Sequence, residues 1–332
     1  MNGRNNTVSR PESPSMEHTG YSSLAATSIL RTADDQPAVP ARLPLLPEGE
    51  AILQPPIDNT PNDAPKDPPT RIPHLGHAIL FLSITGAILL FSQLIAVSLG
   101  HHSGNQPPNI SPKLLLLAEA FTYLATLTIS WFLFPLFWQR TFPNGVQTNA
   151  PAAIRNGGRL ILLGFVLSFI VQAVSSIVPM PKTIPMDDFF RTPSDVWLIT
   201  FFGSLLAPLF EEIVFRGFLF PAFAIAYDWL CLPRTEAALE QWNSSNKLSL
   251  NSLIFSAILT SIIFAAIHGK QTAFTWPVLI LLFCVSLILT TVRVRLRSVL
   301  ASTVVHASYN FAVFLTAFIA TGGYRHLERM TQ

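Results

Sequence analysis

A run of about 20 mostly apolar residues is long enough to cross a bilayer as a helix, and this chain carries one such run after another. Leu75–Leu99, Leu114–Phe137, Leu160–Val178, Phe274–Val292 and Val299–Ala320 each qualify, and Leu253–Ile267 is a shorter candidate. Val196–Ala226 is a continuous apolar stretch of 31 residues, broken by Pro208, Glu211, Glu212, Arg216 and Pro221. The expected fold is therefore all-α: a polytopic membrane helix bundle of about seven spans, with six or eight also compatible. Charged residues make up 12% of the chain, against roughly 25% in an ordinary soluble domain, which removes a water-soluble globular fold. The net charge of +2 is too small to indicate a nucleic-acid partner; the partner expected is the lipid bilayer. Cys231 and Cys284 sit in no metal-ligand spacing and make no disulfide framework.

The average conceals a division. Residues 1–74 hold 13 of the 27 prolines and nine of the 19 acidic residues. Such a segment has too little apolar surface to offset its chain entropy, so a disordered, Pro-rich tail is expected there. It has no apolar stretch of the kind a secretory signal requires. Residues 75–332 form the expected transmembrane domain. No repeat relates its two halves, which gives no support to an inverted-repeat transporter. Lys and Arg in the short loops favour a cytoplasmic N-terminus by eight to six, counting Arg293, Arg295 and Arg297 among the inner set.

Ionisable side chains in a spanning helix are costly and mark function. Here they gather in three places: Glu211, Glu212 and Arg216; Phe264 and His268; and His306 and Asn310. Glu212 and Arg216 are spaced i, i+4 with the acid first, the favoured order for an ion pair. Neighbours on a helix point about 100° apart, so Glu211 and Glu212 are expected to face different partners. Glu211 is then left to act as a base. His306 and Asn310 also share a helix face. Together they offer two donors to an oxyanion; a metal ligand at His306 and interhelical polar glue are the alternatives. His268 closes its own span before Gly269, and Phe264, one turn earlier, packs. Glu119, the remaining carboxylate within a span, is expected to reach an interface or a loop arginine, outside the site. Neither a GxSxG elbow nor an HExxH motif is present. The set suits water activation by a carboxylate with histidine sharing the proton traffic.

EExxxR, FxxxH and HxxxN, in that order on separate apolar helices, resemble the CPBP family of intramembrane endopeptidases (CAAX protease and bacteriocin-processing, ABI), which includes the type II CAAX prenyl endopeptidases. The resemblance covers about residues 155–320. It implies a membrane helix fold with a polar cavity open on one face, and a glutamate-dependent endopeptidase. Glu211 and His268 would activate a water, with Glu212 among the catalytic residues. His306 and Asn310 would form the oxyanion site, with Arg216 and Phe264 in support. No cofactor is expected, although zinc on Glu211, His268 and His306 is the alternative. The implied substrate is a peptide or lipidated protein, processed in CAAX fashion. With no long eukaryotic loop or organelle signal, a bacterial plasma membrane is the expected location. The competing readings are a non-catalytic scaffold or bacteriocin-immunity protein, and a proton-coupled transporter. Depth is the unresolved point: Glu211 lies midway along its stretch, whereas His268 ends its own.

Overall fold

The computed structural model describes residues 71–100, 110–177 and 185–330, all within one compact unit, Pro65–Gln332. Apart from Arg71–His74 the expected tail lies outside the described residues, as do His101 and His102. Among the described residues there are helices and turns and no strand. Seven helices are long and apolar enough to cross a membrane: α1 (Leu75–Leu99), α2 (Pro112–Trp138), α3 (Gly157–Ser175), α4 (Pro193–Cys231), α5 (Leu250–Ile267), α6 (Trp276–Leu296) and α7 (Val299–Ala320). The chain is a multi-pass integral membrane protein.

The spans match the apolar runs, and the differences lie at their ends. Ser111, Thr192 and Ser249 cap α2, α4 and α5 through their side-chain oxygens, with Pro112 and Pro193 in the first turns of α2 and α4. A capping hydroxyl and a first-turn proline satisfy or remove orphan N–H groups. Each of these helices therefore begins about one turn before the hydropathy run does. At α6 the shift has another cause. Ala273 and Phe274 have φ of 49° and 52°, a left-handed conformation that cannot enter a helix. At its far end α6 runs on to Leu296 and takes in a buried Arg293. Arg293 is thus not a loop cation, which removes it from the inner charge count.

The bundle is apolar outside and small or polar within. Leu90, Phe91, Leu94, Phe132 and Leu136 are exposed, whereas Thr122, Thr126 and Ser130 on α2 are fully buried. Ser252, Ser256 and Thr260 form a similar buried row on α5. Lipid is as apolar as leucine, so small side chains that let backbones approach drive helix association. Gly164 on α3 shows the closest such approach: a Cβ there would sit 2.5 Å from the Val305 carbonyl oxygen and 2.6 Å from Ser308 Cβ, both on α7.

The long helix α4 changes pitch twice. Wide, π-type turns cover Phe202–Leu206 and Ile213–Leu219, on either side of a regular segment, Ala207–Glu212. Each wide turn runs into a proline, Pro208 or Pro221. A proline has no N–H and clashes with the carbonyl four residues back. Widening the preceding turn relieves that clash: Ala207 N–H bonds to the Phe202 carbonyl and Phe220 N–H to the Phe215 carbonyl. The carbonyls of Gly203 and Arg216 are the next in line, and their i+5 partners are the prolines. Each is instead met from another helix. Asn310 Nδ2 on α7 donates to Gly203 O at 2.7 Å, and Arg293 Nε on α6 donates to Arg216 O at 3.4 Å.

Because backbone opposes the missing Cβ of Gly164, Gly164→Val is expected to push α3 off α7 at a cost of about 1–3 kcal/mol. Gly86 has nothing within 4 Å of the same position, so Gly86→Ala should leave the thermal midpoint in detergent unchanged or slightly raised.

Candidate active site

Arg216 and Glu212 are 1% and 0% exposed, too deep for water to solvate either charge. They are held by mutual pairing. Arg216 Nη1 donates to Glu212 Oε1 at 2.8 Å. Its Nη2 donates to the backbone carbonyl and the hydroxyl of Ser286 on α6, at 2.9 and 2.8 Å. The guanidinium also lies over the Phe264 ring, 5.1 Å from its centroid. The i, i+4 pair read from the sequence is therefore present, and it is shared with two further helices.

His306 meets the same carboxylate. Its Nδ1 is 3.0 Å from Glu212 Oε1. Nδ1 carries the proton, since an ionised carboxylate only accepts. The other face of the ring turns to Glu211, with Nε2 3.8 Å from Oε2. This corrects the expectation that the adjacent glutamates must face different partners. The 100° argument treats a partner as a point, but an imidazole presents a nitrogen on each of two edges. The ring thus bridges the two carboxylates, at the junction where α4 widens into its second π-type turn. Glu211 Oε2 is buried and has no hydrogen-bond partner among the described residues, so it is the uncommitted carboxylate of the pair.

His268 caps the C-terminus of α5. Its Nδ1 is 2.8 Å from the Phe264 carbonyl oxygen. A carbonyl only accepts, so Nδ1 is again the protonated nitrogen and Nε2 is available for chemistry. The depth problem disappears in the register of α4 against α5, which run antiparallel. Asp228 meets Ser252, Phe220 O accepts from Ser256, and Phe215 packs edge-on against Phe264 at 5.1 Å. One further turn in the same register sets His268 level with Glu211. Phe264 is the hub, with its ring 4.6 Å from His268 and 5.9 Å from His306. It packs, as the sequence suggested.

Asn310 is near this group but committed differently. The expectation aimed the donors of His306 and Asn310 at one point. In the structure one N–H of each is held by α4, by Glu212 and by the Gly203 carbonyl respectively. Asn310 keeps a second amide N–H. Among the described residues, no group of three or more His, Cys, Asp or Glu side chains is gathered so as to hold a metal ion.

The remaining carboxylate within a span is partnered as well. Glu119 on α2 does not reach a loop arginine. Among the described residues its partner is Tyr123, one turn on, which donates to its Oε1 at 2.7 Å. It carries no motif.

These features define a multi-pass membrane protein with a buried carboxylate–imidazole site on α4, α5 and α7. Residues 193–312 match the family model of the type II CAAX prenyl endopeptidases, Rce1-like. The match includes all seven motif residues, bears out the resemblance drawn from them, and supports a CAAX-type intramembrane protease. It is narrower than the 155–320 suggested by the motifs and excludes α1, α2 and α3. No curated protein and no solved structure matches the chain.

Removing one member of a buried ion pair strands the other, at about 3–5 kcal/mol. Arg216→Met should lower stability in detergent by that order. Adding Glu212→Gln should recover part of the loss, so the double variant unfolds at a higher temperature than Arg216→Met alone.

Proposed function

We propose that this protein is a glutamate-dependent intramembrane endopeptidase that cuts a membrane-associated or lipidated peptide, in the manner of CAAX processing. One observation carries the reading: the Glu211 carboxylate, one oxygen of which is buried without a hydrogen-bond partner among the described residues, faces the His306 imidazole.

Glu211 accepts a proton as a water oxygen bonds to the scissile carbonyl carbon. The oxyanion that develops is stabilised by N–H donors: the second amide N–H of Asn310 and, when the ring carries a proton on both nitrogens, His306 Nε2 are the candidates. The proton on Glu211 passes to the bare His268 Nε2, and as the C–N bond breaks Nε2 hands it to the departing amine, which returns both groups to their starting forms. Glu212 keeps the His306 ring oriented through Nδ1, and Arg216 keeps Glu212 ionised and in place. Phe264 holds the two imidazoles at fixed spacing. The setting proposed is a bacterial plasma membrane with the N-terminus inside. The charge count behind that orientation is weaker without Arg293.

The test is cleavage of an internally quenched, prenylated peptide ending in a CAAX sequence by the purified protein in detergent. Glu211→Ala should reduce the rate by about 10²–10⁴-fold, the usual contribution of a general base. Cleavage by the variant at the parent's rate would remove Glu211 from the mechanism. Metal analysis of the same sample distinguishes the zinc version: one zinc per chain, lost in His268→Ala, would overturn the metal-free one. Proton or solute flux in proteoliposomes without peptide cleavage would favour a transporter.

A further inference from the structure

Two rings on α4 meet one ring on α2. Tyr123 stacks on Phe210 at 3.9 Å and 7°, and on Phe202 at 5.5 Å and 25°. A regular helix advances about 100° per residue, so side chains separated by that many residues would point about 80° apart. The wide turn Phe202–Leu206 takes up the difference: Ala207 N–H reaches back to the Phe202 carbonyl, and the extra residue in the turn brings Phe202 round to the face of Phe210. Both stacks hold together only while this turn is wide. The ring that joins them is itself anchored. The Tyr123 hydroxyl donates to Glu119 Oε1 at 2.7 Å, and the preceding Thr122 is buried and shares a 2.8 Å hydrogen bond with Ser92 on α1. Phe210 is buried and directly precedes Glu211, and Phe81 of α1 lies 6.0 Å from its ring. So α1 and α2, outside the matched stretch, grip α4 where its pitch changes, just before the two glutamates.

We infer that Tyr123 is a positioning residue of the active site: by stacking on Phe202 and Phe210 together, it locks the wide turn of α4 and so aims Glu211 and Glu212 at His306. This rests on the protease reading above. Pro208 gives the turn a reason to widen, but the proline alone does not set the rotation of the segment that follows. Losing the extra residue from the turn would rotate Gly203 relative to the glutamates by about 100°. Asn310 and His306 lie on one helix, α7, and meet α4 before and after Pro208, at Gly203 O and at Glu212 Oε1. They cannot both keep their partners through such a rotation. The two stacks oppose it from α2. A displacement of about 1 Å at a reacting group costs about 10²-fold in rate, even when its cause lies away from the chemistry.

The experiment measures kcat and KM on the prenylated CAAX peptide, per folded molecule as judged by size exclusion in detergent. The variants are Tyr123→Leu, Tyr123→Phe, Phe202→Leu and the double variant Tyr123→Leu/Phe202→Leu. Tyr123→Leu should lower kcat by about 10–100-fold, with KM changed less than about twofold. Tyr123→Phe keeps the ring and should fall less than about threefold, so the conservative change rescues the rate. The double variant should be about as slow as the slower single one, because both cut the same link. Phe202→Leu, changed on the far side of the wide turn from Glu211, carries the same test if Tyr123→Leu does not fold. Tyr123→Leu or Phe202→Leu at the parent's kcat, a loss confined to KM, Tyr123→Phe as slow as Tyr123→Leu, or losses that multiply in the double variant each overturn the inference, even when Glu211→Ala is inactive and the protease reading stands. A parent that does not cleave the peptide, or a Glu211→Ala variant as active as the parent, overturns the protease reading and this inference with it.

Discussion

A guanidinium that water cannot reach must find its counter-charge and its hydrogen bonds inside the protein, and the placement of Arg216 organises the bundle around that need. Its charge is met by Glu212 one turn earlier on the same helix. Its remaining donors need oxygen, and Ser286 on α6 supplies a carbonyl and a hydroxyl. Its flat face rests over Phe264 from α5. Since Glu212 Oε1 is drawn to Arg216, the same oxygen also fixes His306 from α7. Four helices are thereby tied to one buried charge. The chemical result is a division of labour between adjacent glutamates: Glu212 is spent on structure, and Glu211 is left unbound with an imidazole nitrogen beside it. A buried pair of this kind is weak evidence for net stability. Its effect here is to specify one arrangement, because any slip of α6 or α7 leaves a charge or a polar ring uncompensated.

The prolines of α4 act in the same direction through the backbone. Pro208 and Pro221 each leave one carbonyl without its helical partner. A bare carbonyl away from water costs about 1–3 kcal/mol. Asn310 answers one from α7 and Arg293 answers the other from α6. Arg293 is fixed in turn by Gln147, which receives its Nη2 at 2.9 Å. The two docking bonds bracket the segment that carries Glu211 and Glu212, and the wide turns at either end let that segment rotate relative to a uniform helix. Asn310 thus has a structural task whether or not its second N–H meets an oxyanion, and loss of activity on its removal would not by itself identify it as a donor to substrate.

The spans were legible because hydropathy is a property of consecutive residues, and Glu212–Arg216 because i, i+4 spacing is local. The helix starts were displaced at α2, α4 and α5, where a polar capping residue and the first turn lie outside the apolar run that marks the span. Glu211 and Glu212 meeting one histidine was not legible. Spacing along one helix says nothing about a ring arriving from another helix with a nitrogen on each edge. The partner of Glu119 was not legible either. Tyr123 lies only one turn on, but its ring is fixed by Phe210 and Phe202, which meet it only once α2 lies against α4. Arg293 was read as a loop cation because charge ends a hydropathy window, although a carbonyl freed by a proline gives that charge a reason to be buried.

Register explains how a histidine at the end of a short helix can belong to a site midway along a long one. The distance from Glu211 to the end of α4 at Cys231 is close to the full length of α5, which starts opposite Asp228 and runs back beside it. Ser249 and Ser252 both bond to Asp228, so the start of α5 is pinned to the last turn of α4. From there the antiparallel descent is fixed by contacts at Phe220 and Phe215. It has no freedom left by the time it reaches His268. The helix then stops, and stopping is what makes His268 useful. Nδ1 bonds back to the Phe264 carbonyl at the C-terminus of the helix, which turns Nε2 away from the helix axis. A histidine in mid-helix would find that carbonyl already bonded to a backbone N–H. The length of α5, from its anchor on Asp228 at one end to the His268 cap at the other, is therefore part of the site.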